Sequence, residues 1–91
     1  MDRKLNFQFE FVDGGPRSLD YETTDGDKAS ISIEAGVPIL HVNRSACRVI
    51  AQIFAKLATG SHVDGFHLHL EENLDPDRGE MLRILLNDLS G

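Results

Sequence analysis

The sequence predicts an α+β fold in two layers, with a mostly antiparallel five-stranded sheet packed against one helix. Three observations predict it: alternation of apolar and polar residues over 5–11, an apolar stripe at helical spacing over 46–57, and four further short strand-like runs. The predicted order of elements is βββαββ. Because a single helix can cover only one face of the sheet, we expect the other face to be open to solvent or to a partner.

The first predicted strand spans 5–11, where every second residue is apolar. It is followed by 13–28, which holds five acidic residues together with Gly14, Gly15, Pro16 and Gly26. This composition predicts a long, mobile, acidic loop. Its Gly-Gly-Pro run is not a phosphate-binding loop, because no helix start or Lys-Ser pair follows it.

The second and third predicted strands, 29–34 and 37–42, form a hairpin around Ala35-Gly36. A two-residue turn pairs residue 33 with 38 and residue 31 with 40. This register predicts that Leu40 and Val42 point into the core. It predicts that Val37, Ile39 and His41 lie on the open face.

The single predicted helix is capped by Asn43, runs to about Thr59 and ends at Gly60 in a left-handed conformation. Its apolar stripe consists of Ala46, Val49, Ile50, Ile53, Phe54 and Leu57. We expect Phe54 to be buried against Phe7, Phe9 and Leu68.

The last two predicted strands, 65–71 and 80–86, form a second hairpin across an acidic turn. Their side chains alternate between the two faces of the sheet. The side chains expected to point inward are Phe66, Leu68, Leu70, Leu82, Ile84 and Leu86. Those expected on the open face are His67, His69, Glu71, Met81, Arg83 and Leu85.

Length and charge restrict the classes of protein to which the chain can belong. Its 91 residues predict a single domain, and its net charge of −6 favours a basic protein partner over nucleic acid, although most acidic small domains carry such a charge for solubility alone. No apolar run approaches the roughly 20 residues of a membrane span, and the charged start does not resemble a secretory signal. With Cys47 as the lone cysteine, these features predict a cytoplasmic location.

Three local patterns could carry chemistry, and each favours a structural interpretation. His67 and His69 could share a metal with His41, Glu71 or Glu72, but a His-x-His pair on a strand is more often polar surface. Cys47 is interpreted as a small hydrophobic residue at the border of the stripe. The acidic turn at 75–80 lacks the glycine and glutamate positions of a calcium loop. We therefore predict no catalytic, cofactor-binding or metal-binding residue.

The stretch from Val42 to Glu71 resembles a known protein family. Its frame is Asn43 at the helix start, Leu57-Ala58 near the helix end, and the run Gly65-Phe66-His67-Leu68-His69-Leu70-Glu71. This frame is similar to the immunity protein 32 family of bacterial polymorphic toxin systems. The resemblance implies a non-enzymatic inhibitor that binds a cognate toxin. It also implies that Gly65, His67, His69 and Glu71 are important for this function.

The main functional hypothesis is therefore an immunity-type protein that binds its toxin through the open face. Two alternatives stay open: a small metal-binding protein or metal-dependent enzyme that uses the His-x-His strand, and a structural module that forms homodimers through the open face. The predicted partner-binding residues are His67, His69, Glu71, His41, Ile39 and Leu85.

Overall fold

The structure, a computed structural model, describes residues 2–87. Its regular elements are strands β1 (Ala29–Glu34) and β2 (Val37–Val42), helix α1 (Arg44–Thr59), strand β3 (His67–Glu71), a 3-10 turn (Glu72–Leu74) and strand β4 (Glu80–Leu85). The chain is α+β with one helix among the described residues, as predicted. Within the same residues, no helix is both long and apolar enough to cross a membrane.

The predicted five-stranded sheet is wrong. The described strands form two separate antiparallel sheets of two strands each, β1–β2 and β3–β4. Residues 5–11 form no strand, although their alternation is the clearest strand pattern in the sequence. The alternation specifies which side chains can share a face, but a strand also needs a backbone partner, and this segment has none in the described structure.

The register of the first hairpin is as predicted. Ile33 pairs with Pro38 and Ile31 with Leu40. Ala35 and Gly36 both have positive φ, 50° and 81°, as a tight two-residue hairpin turn requires.

The predicted burial of this hairpin is only partly correct. Its base is covered, with Ala29 buried and Val42 half-buried, whereas Leu40 is 43% exposed. Burial decreases from Ala29 towards Glu34. The hairpin therefore projects beyond the core, and near its tip neither face is covered.

Helix α1 has the predicted bounds. The Asn43 side chain accepts a hydrogen bond from the Ala46 amide, and Gly60 donates its amide to the Lys56 carbonyl at 2.8 Å. The expected left-handed conformation of Gly60 is wrong, because its φ is −81°. The hydrogen bond from the Gly60 amide to the Lys56 carbonyl completes the last turn of the helix instead.

The buried stripe of α1 is narrower than predicted. Its buried residues are Ala46, Val49, Ile53 and Leu57. The Phe54 side chain is 53% exposed, and the thiol-bearing Cys47 is also exposed, contrary to both expectations. Each follows a buried residue by one position, about 100° around the helix. No sheet strand from 5–11 is present to cover that side.

The core joins this stripe to both hairpins. Its buried members are Ala29, Ala46, Val49, Ile53, Leu57, Leu70 and Leu74. On the second hairpin, Leu70 points inward while His67, His69, Arg83 and Leu85 are exposed, as predicted. Met81 instead packs against the core. A register shift after Leu70 leaves Met81 between two paired positions and turns it from the expected face.

The loop at 13–28 contains no helix or strand, but it is attached to the rest of the chain at several points. The Asp13 carboxylate accepts from the Ser61 amide at 3.0 Å, and the Pro16 carbonyl accepts from the Val63 amide at 3.1 Å. Leu19 and Tyr21 pack against the core. Mobility of this loop stays a prediction, and any large motion must occur between these attachments.

Candidate functional site

The largest group of predicted partner-binding residues lies on the outward face of the β3–β4 hairpin. Gly65 leads into β3 with a φ of 85°, a conformation that a residue with a Cβ rarely adopts. Its amide donates to the Leu86 carbonyl at 2.8 Å, which extends the pairing of β3 with β4 to residues before the start of β3. A side chain at position 65 would therefore strain the backbone at the entrance to β3.

We define the outward face as His67, His69, Arg83 and Leu85, together with Glu80. His67 lies opposite Leu85 and His69 opposite Arg83 in the antiparallel register. The two imidazole rings contact each other nearly edge-on, with centroids 5.3 Å apart. Leu85 is 54% exposed and gives the outward face an apolar component.

Glu80 holds two side chains of the outward face in place. Its Oε1 accepts a hydrogen bond from Arg83 Nε at 2.6 Å and lies 3.0 Å from His69 Nδ1. A second contact joins Arg83 to Oε2 at 3.3 Å. The hydrogen bonds from Arg83 and then from His69 lower the pKa of Glu80 to about 2, so it is ionised at neutral pH.

The structure brings together only some of the predicted partner-binding residues. His67, His69 and Leu85 share the outward face, and Glu71 lies half-buried at the irregular end of the hairpin, paired with Glu80. Ile39 and His41 lie on β2, which belongs to the other sheet. His41 Nε2 is 2.8 Å from the Ser32 hydroxyl of β1. The single open face that would have joined all six residues is not formed.

The predicted alternative of a metal site lacks its third ligand in the described part of the chain. Among residues 2–87, no group of three or more His, Cys, Asp or Glu side chains is arranged to hold a metal ion. His69 Nδ1 is turned to Glu80, and His41 is on a different sheet.

A polar cluster that the sequence did not predict is centred on Asp27, which is only 1% exposed. Its carboxylate accepts hydrogen bonds from the Thr24 amide at 2.7 Å, the Thr24 hydroxyl at 2.9 Å and the Ser45 hydroxyl of α1. Burial raises the pKa of Asp27, but the hydrogen bonds from Ser45 and Thr24 outweigh it, so the pKa lies below its ordinary value.

Asn43 extends this cluster from the helix to the loop. Beyond capping α1, its Oδ1 accepts from the Lys28 amide at 3.1 Å, and its Nδ2 donates to the Gly26 carbonyl at 2.7 Å. The sequence predicted that Asn43 caps the helix. It did not predict the burial of Asp27, because the acidic residues around Asp27 are typical of a solvated loop.

His62 forms a second attachment of the loop that the sequence did not reveal. Its Nε2 is 2.7 Å from the Ser18 carbonyl, and its ring lies 4.6 Å from that of Phe66. Its Nδ1 is buried without a hydrogen-bond partner. We interpret His62 as a structural residue beneath the loop.

Comparison of the chain with known protein families, curated proteins and solved structures found no significant match in any of the three.

Proposed function

We propose that this chain is a non-enzymatic immunity-type protein of the cytoplasm, which binds and neutralises a cognate bacterial toxin through the outward face of β3–β4. The observation that carries the proposal is the composition and order of that face. Two adjacent imidazoles and an exposed leucine lie beside an Arg–Glu pair that fixes one of the imidazoles. Arginine is enriched at protein interfaces, and an exposed leucine beside it offers apolar area that a partner can cover.

The Glu80 contacts support binding because they restrict side chains before a partner arrives. A free arginine or histidine loses rotamer freedom when an interface forms, which opposes association. Here Arg83 and His69 already have a common acceptor. Less freedom therefore remains to be lost on binding.

Charge and the family resemblance support the same assignment. A net charge of −6 would speed the encounter with a basic toxin through long-range attraction. The run of residues that resembles the immunity protein 32 family, Gly65 to Glu71, includes β3 and therefore both histidines of the outward face.

The experiment is co-expression of this chain with each candidate toxin encoded beside its gene, with bacterial growth and direct binding as the readouts. We expect the chain to restore growth and the double variant His67→Ala, His69→Ala to lose most of that protection. His41→Ala is the matched control, because His41 is also exposed but lies on the other sheet. Full protection by the double variant would contradict the assignment of the face. Stoichiometric zinc binding that the double variant loses would favour the metal-binding alternative.

A further inference from the structure

The amino-terminal segment, residues 2–12, has the pattern of a strand but no strand to pair with. None of its backbone amides or carbonyls bonds to another backbone group of the described chain. The Phe7 and Phe9 rings nevertheless contact each other edge-on at 4.4 Å. Side chains two positions apart meet in this way when they leave the same side of an extended chain.

This segment also leaves apolar side chains in solvent. Leu5 is 78% exposed and Phe7 61%, whereas Phe9 and Phe11 are half-buried. The segment runs along α1, since Lys56 Nζ lies 5.6 Å from the centre of the Phe11 ring, while Phe7 and Phe9 line a groove with Arg48 and Val49. That groove has a volume of about 770 Å³, so the helix does not fill the space beside the segment. An unpaired backbone next to exposed apolar side chains is typical of a strand that pairs with another chain.

We propose that the partner is a second copy of this chain, and that the two amino-terminal segments pair antiparallel about a twofold axis through Gln8. In this register Phe7 lies opposite Phe9 of the partner copy, and Leu5 lies opposite Phe11. All the apolar side chains of 5–11 then share one face of the ribbon, and Asn6, Gln8 and Glu10 share the other. The same surface patch is used on both copies, as a twofold interface requires.

The charges flanking the pattern complement one another in this register. Arg3 of one copy lies opposite Asp13 of the other, and Lys4 lies diagonally across from Glu10 on the polar face. No two like charges face each other. A two-residue shift in one direction places Phe11 beside Arg3, and a shift in the other direction places Leu5 beside Asp13. A one-residue shift mixes the apolar and polar faces.

The proposal goes beyond the toxin-binding function and uses a different surface. The amino-terminal segment contacts α1, whereas the outward face belongs to β3–β4. A dimer formed in this way leaves His67 and His69 available to a toxin. The two proposals can therefore fail independently.

The test is disulfide mapping of the twofold axis, in a chain whose exposed native thiol is removed by Cys47→Ala. Residues directly opposite each other have Cβ atoms about 5 Å apart, close to disulfide distance. Gln8→Cys therefore should form a covalent dimer rapidly under mild oxidation. Glu10→Cys is the matched control: in this register its two copies are four residues out of alignment, or roughly 13 Å apart.

Sedimentation of the unmodified chain over a range of concentrations completes the test. We expect a monomer–dimer equilibrium whose dissociation constant rises at least about tenfold in the variant Phe7→Lys, Phe9→Lys, with the helical circular dichroism signal retained. The proposal is overturned if the chain is monomeric throughout, if it forms larger open assemblies, or if Glu10→Cys cross-links as fast as Gln8→Cys.

Discussion

At the scale of single residues, two polar side chains connect the loop at 13–28 to the start of helix α1. Asp27 ties the loop to Ser45 of α1, and Asn43 ties the start of the same helix to Gly26 and Lys28. The helix-capping role of Asn43 follows from local sequence because the cap and the amides it satisfies are close in sequence. The role of Asp27 depends on a hydroxyl 18 positions away. No local pattern encodes that contact.

Removing the charge of Asp27 should destabilise the fold. Asp27→Asn keeps the size of the side chain but replaces one acceptor oxygen with a donor that faces hydroxyl and amide partners. Hydrogen bonds to a charged group contribute about 1.5–3 kcal/mol each, so we expect the free energy of unfolding to fall by roughly 2–3 kcal/mol in urea titration. Asp25→Asn, at an exposed position of the same loop, is the control and should change it by less than about 0.5 kcal/mol. Equal effects of the two variants would contradict the role given to Asp27.

The lowered pKa of Asp27 also predicts how stability depends on pH. Since the ionised form is favoured in the folded state, its contribution is fully present above the ordinary aspartate pKa of about 3.9 and is lost as pH falls through the lower folded value. The pKa of Asp13 is lowered by hydrogen bonds from Gly15 and Ser61, and the pKa of Glu80 is lowered as well. Both groups therefore act in the same direction as Asp27. The melting temperature should therefore decline below about pH 4, and it should decline less in Asp27→Asn than in the unmodified chain. Parallel curves for the two proteins would show that Asp27 does not contribute.

At the scale of elements, the sequence predicted the helix and both hairpins but not how far each is buried. The bounds of α1 follow from Asn43 and Gly60, and the register of the first hairpin follows from the Ala35-Gly36 turn. The strand at 5–11 could not be decided in the same way. Its alternation is satisfied equally by pairing within the chain, by pairing with another copy or by an unpaired segment. Because the predicted cover of Phe54 depended on that strand, both expectations were wrong together.

Neighbouring positions of α1 should therefore differ sharply in their contribution to stability. Ile53 is fully buried, and Ile53→Ala should lower the free energy of unfolding by about 2–5 kcal/mol. Phe54 is more than half exposed, so Phe54→Ala should cost less than about 1.5 kcal/mol despite removing a larger side chain. Chemical denaturation of the two variants measures both values. A larger loss for Phe54→Ala would show that its ring is covered in solution.

At the scale of the whole molecule, residues 2–87 form two small sheets and one helix, joined by a modest core and by polar attachments. Sequence patterns identified the outward positions of β3 because alternation within one strand needs no knowledge of its neighbours. They could not show that β2 and β3 belong to different sheets, since that depends on contacts between distant segments. The predicted set of six binding residues was therefore divided, with His67, His69, Glu71 and Leu85 on one hairpin and Ile39 and His41 on the other.

The central claim is that the outward face of β3–β4 binds a protein and contributes little to folding. The most direct test pairs a thermal melt with a titration of the cognate toxin, both performed on His67→Ala, His69→Ala and on the unmodified chain. Because both imidazoles are exposed, we expect the melting curves to coincide closely. We expect binding of the toxin to weaken by at least about 1–2 kcal/mol, which is a factor of roughly 5–30 in the dissociation constant. Unchanged affinity with an intact fold would contradict the claim, as would loss of the fold itself.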